Sequence, residues 1–208
     1  MSSTGGVFCI ESWSARITNR ETVRPLLEFI AQDGEVRFIH QRVETAIELQ
    51  HYLSRFADLD SYGVAYVAMH GSSGKVWAGA SSVALDDLAT WARMDEGPTL
   101  SSAADFEWST DLRGKVLYLG SCATLSRQSK RLRDLRELTG AAAVCGYTKS
   151  VDWYESAALE VMLLPALADA TASAPNTVTK TLRRLRRRAG DLMDNLGFVA
   201  ELPRGAVV

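Results

Sequence analysis

The sequence predicts an α/β fold, a mostly parallel central sheet with helices on both faces. Three observations carry that prediction. Short runs that are apolar throughout, such as VAYVAM (64–69), recur along the chain, and a strand without a polar face must be covered on both sides. Segments with apolar residues at i, i+3, i+4 and i+7 separate those runs, as in Val23, Leu26, Leu27 and Ile30, which is the helical period. The length of 208 residues and a 47% hydrophobic content suit one such core, so residues 1–208 are read as a single domain.

VFCIES (7–12) is the first strand. The helix after it carries Pro25 in its first turn, where the missing N–H is tolerated, and stops near Gly34. VRFIHQ (36–41) is the second strand. Thr45 and Glu48 then form a T-x-x-E capping box and open a helix that buries Leu49, Tyr52, Leu53 and Phe56. GVAYVAM (63–69), KVLYLG (115–120) and AAAVCGY (141–147) are the third, fourth and fifth strands. Between the third and fourth, residues 75–84 read as a hairpin leading into a helix from Asp86. EGPTLSSAADFEWSTDLRG (96–114) reads as a polar loop. A basic, exposed helix follows over 125–138, with Leu132, Leu135 and Leu138 as its seam. SAALEVMLLPALADA (156–170) is apolar on nearly all sides and reads as a buried helix. A last helix begins after Asn176 and stops at Gly197. Within it, LRRLRRR (182–188) reads as a solvated face, because its leucines keep register.

Composition sets limits on function. A net charge of −2 gives no reason to expect nucleic acid as a partner. Three cysteines without a CxxC pair fit a reducing compartment. MSSTGG has no basic region before an apolar core, so no signal peptide is expected, and Glu160 and Pro165 interrupt the longest apolar stretch, so no membrane is expected. The expectation is a cytoplasmic protein. The histidines and cysteines show no zinc spacing, and neither GxGxxG nor GxxxxGK[ST] occurs, so no metal or cofactor is expected.

Candidate chemistry sits at strand ends. His70 closes the third strand and is followed by Gly71. Cys122 lies just beyond the fourth, after Gly120 and Ser121 break it. In a parallel sheet the carboxyl ends of neighbouring strands share one edge, where functional groups gather. An imidazole and a thiol brought together there support nucleophilic catalysis. The N–H groups of Gly71 and Cys122 then supply an oxyanion hole. Cys9 and Cys145 lie inside apolar strands and read as core. His40 and His51 read as surface or half-buried residues; His40 ends the second strand with no acid expected beside it.

His70 precedes Cys122 by 52 residues, close to the spacing of about 50 in caspases. YVAMHGSSG and KVLYLGSCAT together resemble the two signature blocks of the caspase-like clan of cysteine peptidases. AVCGYTKSVDWYESAALEVMLLPAL resembles the block after the fifth strand in the CHAT branch of that clan. The resemblance spans roughly residues 7–167. It implies a caspase-like three-layer sandwich, His70 as base, Cys122 as nucleophile, and Gly71 and Cys122 as oxyanion hole. It also implies a cysteine endopeptidase acting on a protein substrate encoded nearby, in a prokaryotic defence or cell-death pathway, with a regulatory partner. Two features depart from the clan's better-known members. Gly-Ser-Cys-Ala-Thr replaces the caspase Q-A-C-R-G, and Gly120 stands where metacaspases carry an aspartate. Substrate preference therefore does not carry over.

Asp152, Trp153 and Glu155 border the expected substrate pocket by the same resemblance. As local sequence, Asp152 and Glu155 also read as an N-cap and N3 pair. Pointing into the pocket, either carboxylate would favour arginine or lysine; as caps they cannot select a substrate, and Trp153, Tyr154 and small residues would then favour an uncharged side chain. Two non-peptidase alternatives share the same pattern: a catalytically inactive caspase-like module, and a flavodoxin-like regulatory domain.

Overall fold

The computed structural model describes residues 5–13, 21–91, 111–125, 130–173 and 176–203. Its centre is a six-stranded sheet in the order β2-β1-β3-β7-β8-β9. The strands are β1 (Gly5–Ser12), β2 (Val36–Arg42), β3 (Val64–Met69), β7 (Val116–Leu119), β8 (Ala143–Tyr147) and β9 (Phe198–Glu201). The first five run parallel, and β9 lies antiparallel on β8.

Side chains alternate between two apolar layers. Val7, Cys9, Val64, Tyr66, Tyr118 and Cys145 point to a layer built with α1 (Arg24–Ile30), α5 (Trp153–Thr171) and α6 (Thr177–Leu196). Phe8, Ile10, Ala65, Val67, Leu117 and Val144 point to the other, built with α2 (Ala46–Ala57), α3 (Leu85–Trp91) and α4 (Lys130–Thr139). The result is a three-layer α/β sandwich, because central strands that are apolar on both faces need a cover on each.

Local signals in the sequence act as physical chemistry requires. Glu48 N–H donates to Thr45 Oγ1 at the α2 N-terminus, while the Glu48 carboxylate accepts from Glu44 N–H. Gly197 closes α6 in the left-handed conformation, φ 63°, where a side chain is strained. The arginines Arg183, Arg184, Arg187 and Arg188 are exposed on α6, opposite buried Leu182 and Leu185.

Two strands were not foreseen. β9 begins directly after the α6 stop. The other is β4 (Gly71–Ser72), which joins β5 (Lys75–Ala78) and β6 (Ser81–Ala84) in a small antiparallel sheet. The polar loop expected over 96–114 falls mostly outside the described residues, as does the start of the basic helix. Among the described residues, no helix is long and apolar enough to cross a membrane.

Candidate active site

The alternation that builds the two layers also fixes which strand-end residues meet. Odd positions of β1 face α1, α5 and α6, so Glu11 and then Trp13 follow Cys9 on that side. Even positions of β3 do the same, which brings His70 after Tyr66 and Ala68. On β7, Gly120 follows Tyr118. The sheet order reverses between β1 and β3, and such reversals leave a crevice beyond the carboxyl ends. A cleft of about 310 Å³ lies there, and its lining includes Trp13, His70, Gly120, Cys122, Trp153 and Glu160.

The turn carrying Cys122 is packed onto the residue after His70. A Cβ on Gly71 would stand 2.1 Å from Thr124 Oγ1 and 2.7 Å from the Cys122 carbonyl oxygen. Only glycine permits this approach. Gly74 N–H donates to the Thr124 carbonyl at 3.1 Å and draws the same two segments together. On the far side, Ala123 N–H donates to the Lys149 carbonyl at 2.8 Å. Ala123 itself has φ 47°, a left-handed conformation that costs a residue with a Cβ about 1–3 kcal/mol. That strain turns the chain sharply at Cys122.

The Cys122 sulfur is half-buried. It accepts Val151 N–H at 3.5 Å and lies 3.9 Å from the Val151 carbonyl. The other two thiols differ. Burial pushes Cys9 well above the ordinary thiol range, with Glu11 and Glu160 adding to the effect, and burial alone raises Cys145. Both are fully buried and chemically quiet.

His70 is exposed and meets the edge of Trp13, ring centroids 5.4 Å apart; Trp13 in turn meets Trp153 at 5.2 Å. Trp13 is anchored from behind by Glu11. The Glu11 carboxylate accepts from Trp13 Nε1 at 2.5 Å, Val23 N–H at 2.7 Å and Thr22 Oγ1 at 2.9 Å, and it also bonds His40 Nε2. The expectation that no acid accompanies His40 is thus corrected. β1 and β2 are parallel neighbours with His40 opposite Cys9, so Glu11 stands two residues further along the same face, within reach of the imidazole.

Asp152 is the N-cap of α5. Its Oδ1 accepts from Tyr154 N–H at 2.8 Å and Glu155 N–H at 3.1 Å. Trp153 lines the cleft, whereas Asp152, Tyr154 and Glu155 are not among the described residues that do.

Sequence reading missed the carboxylate that the cleft does contain. Glu160 is 4% exposed. It accepts Tyr66 OH at 2.9 Å and Tyr118 OH at 2.8 Å, and the Tyr118 and Tyr147 hydroxyls are 2.6 Å apart. Burial raises its pKa to about 7 against the opposing pull of the tyrosine hydrogen bonds. Its signal in the sequence was a lone acid inside a helix apolar on nearly all sides.

A family model described as "Family of unknown function (DUF6642)" matches residues 5–199. No curated protein matches the chain. Among solved structures, the chain is similar to the crystal structure of caspase-1 from Spodoptera frugiperda. Identity is 15%, the match covers 88% of this chain and 77% of that chain, and the TM-score is 0.48.

Proposed function

The chain belongs to the DUF6642 family, whose description assigns no activity, and from that premise we propose that it is a cysteine endopeptidase working through a His70–Cys122 dyad. The observation that supports this reading is the shared cleft. Two adjacent parallel strands end in an imidazole and in the only half-buried thiol among three cysteines.

The chemistry is acyl transfer. His70 takes the proton of the Cys122 thiol, and the sulfur attacks the carbonyl carbon of the scissile peptide. The N–H groups of Gly71 and Cys122 receive the oxyanion. Collapse expels the amine, which carries away the proton held by His70. Water, deprotonated by His70, then hydrolyses the thioester and frees Cys122. No cofactor enters the cycle. By the resemblance of its motif blocks, the protein is a CHAT-type peptidase of the prokaryotic cytoplasm. It cleaves a protein substrate encoded nearby, in a defence or cell-death pathway, under a regulatory partner.

A thiol-directed electrophilic peptide tests the dyad. Mass spectrometry should find the label on Cys122, and Cys122→Ala should abolish it. His70→Ala should slow labelling by about 100-fold or more, the low end of a general base's contribution. Equal labelling of Cys9 and Cys145, or labelling that survives Cys122→Ala, would sink the assignment.

A further inference from the structure

We propose that the cleft beside Cys122 receives a cationic side chain, arginine or lysine, of the protein substrate. Glu160 is its counter-ion on the floor, and Trp13 and Trp153 are its walls. This rests on the peptidase reading and adds the substrate class to it.

The first argument is an ion pair that lacks one member. Glu160 is buried, and the hydrogen bonds it receives come from the neutral hydroxyls of Tyr66, Tyr118 and Tyr147. No salt bridge reaches it among the described residues. A buried carboxylate held by neutral donors alone is under-compensated, and a cation supplies what is missing. The elevated pKa of Glu160 is the mark of that deficit. Glu11 on the same face provides the contrast, because a backbone N–H and an indole N–H donate to it besides its bonds to His40 and Thr22.

The second argument is access. Gly120 and Glu160 both line the cleft. A Cβ on Gly120 would lie 3.3 Å from Glu160 Oε1 and 2.4 Å from Tyr66 Cε2. A side chain at 120 would therefore wall the carboxylate off. Glycine leaves it open to the cleft only two residues before the nucleophile.

The third argument is the lining itself. Its described residues include two carboxylates, Glu21 and Glu160, and no lysine or arginine. Above the floor the walls are apolar and aromatic, with Leu26, Val151 and Ala157 beside the two tryptophans. Aliphatic stems pack on such walls, and an indole face attracts a guanidinium or ammonium. About 310 Å³ holds one long side chain. An aspartate or glutamate would bring a second carboxyl group beside Glu160 and find no lysine or arginine in this lining. The capping role of Asp152 alone would favour an uncharged side chain, but Glu160 brings charge from a different turn of the same helix.

The experiment uses the full chain and four electrophilic peptides that differ only in the residue before the warhead: arginine, lysine, norleucine or aspartate. The readout is the second-order rate of Cys122 modification. Arginine and lysine should react about tenfold faster than norleucine, the scale of one charge-assisted contact, and aspartate slowest. Glu160→Gln should bring the arginine-to-norleucine ratio near one. Should that variant not fold, the wild-type preference among the four probes still decides the substrate class; in wild type the ratio should also rise between pH 6 and pH 8. Dyad ionisation is common to both probes. The groups facing Glu160 are Tyr66, Tyr118, Tyr147 and Cys9, all pushed well above their ordinary values and neutral throughout that range. His70, Cys122 and Glu21 also line the cleft, so Glu160→Gln must flatten the rise if Glu160 causes it. Labelling of Cys122 with no preference for the cationic probes overturns this proposal and leaves the peptidase standing. Failure of every probe to label Cys122 overturns the peptidase reading itself.

Discussion

Glu11 and Glu160 face the same layer, and both are buried, yet their environments drive them in opposite directions. For Glu11, burial raises the pKa. The bonds from His40, Trp13, Val23 N–H and Thr22 more than reverse that, and the net shift is downward. Its contribution to stability is present above the unfolded carboxyl value and is lost as pH falls through the folded one. For Glu160, burial wins and the folded value is about 7 against an ordinary 4.5. The folded chain then holds a proton that the unfolded chain has released. Stability should decline as pH rises from about 4.5 to about 7, by about 3 kcal/mol, and level off above that. Urea unfolding of wild type beside Glu160→Gln, across pH 4.5–8, isolates this slope. Parallel curves for the two proteins would refute it. Neither glutamate's partners were legible in the sequence. Tyr66 lies 94 positions from Glu160, and nothing local to a lone acid names a partner that distant. His70 and Cys122 were legible as candidates because a strand end fixes where a side chain can stand before any partner is known.

At the scale of elements, sequence reading did well wherever period or capping settled the matter. The five parallel strands, the capping box at Thr45 and the αL stop at Gly197 each follow from a short, local pattern. β4 and β9 escaped because neither has such a pattern. β4 is two residues long and exists only through pairing with β5. β9 follows a helix stop and is defined by its bond to β8 across the chain. The start of α5 separates capping from recognition. Asp152→Ala removes an acceptor shared by two backbone N–H groups and should cost about 1 kcal/mol. The arginine-to-norleucine labelling ratio should not change. A thermal melt together with that ratio checks both halves. A fallen ratio at unchanged stability would return Asp152 to the pocket.

For the whole molecule, burial of the sheet predicts its dynamics. β1, β3, β7 and β8 are buried along their whole length, whereas β2 is half open to solvent and β4–β6 form a separate small sheet. Amide exchange should be slowest in β1, β3 and β7, and faster by orders of magnitude in β4–β6. Uniform protection across both sheets would show that the small sheet is no independent unit.

That small sheet begins on the residue after His70. Its second strand also returns to the histidine, since Trp77 N–H donates to the His70 carbonyl at 2.9 Å. The imidazole is therefore mounted on the short arm of a lever. The long arm is the β5–β6 hairpin, and its outer surface carries the exposed indole of Trp77. Whatever grips that hairpin has a mechanical hold on the base one peptide link away. The hairpin turn is also tied to the end of β1, since Gly79 N–H donates to Ser12 Oγ at 2.8 Å, so a load applied there is shared between the base and the first strand.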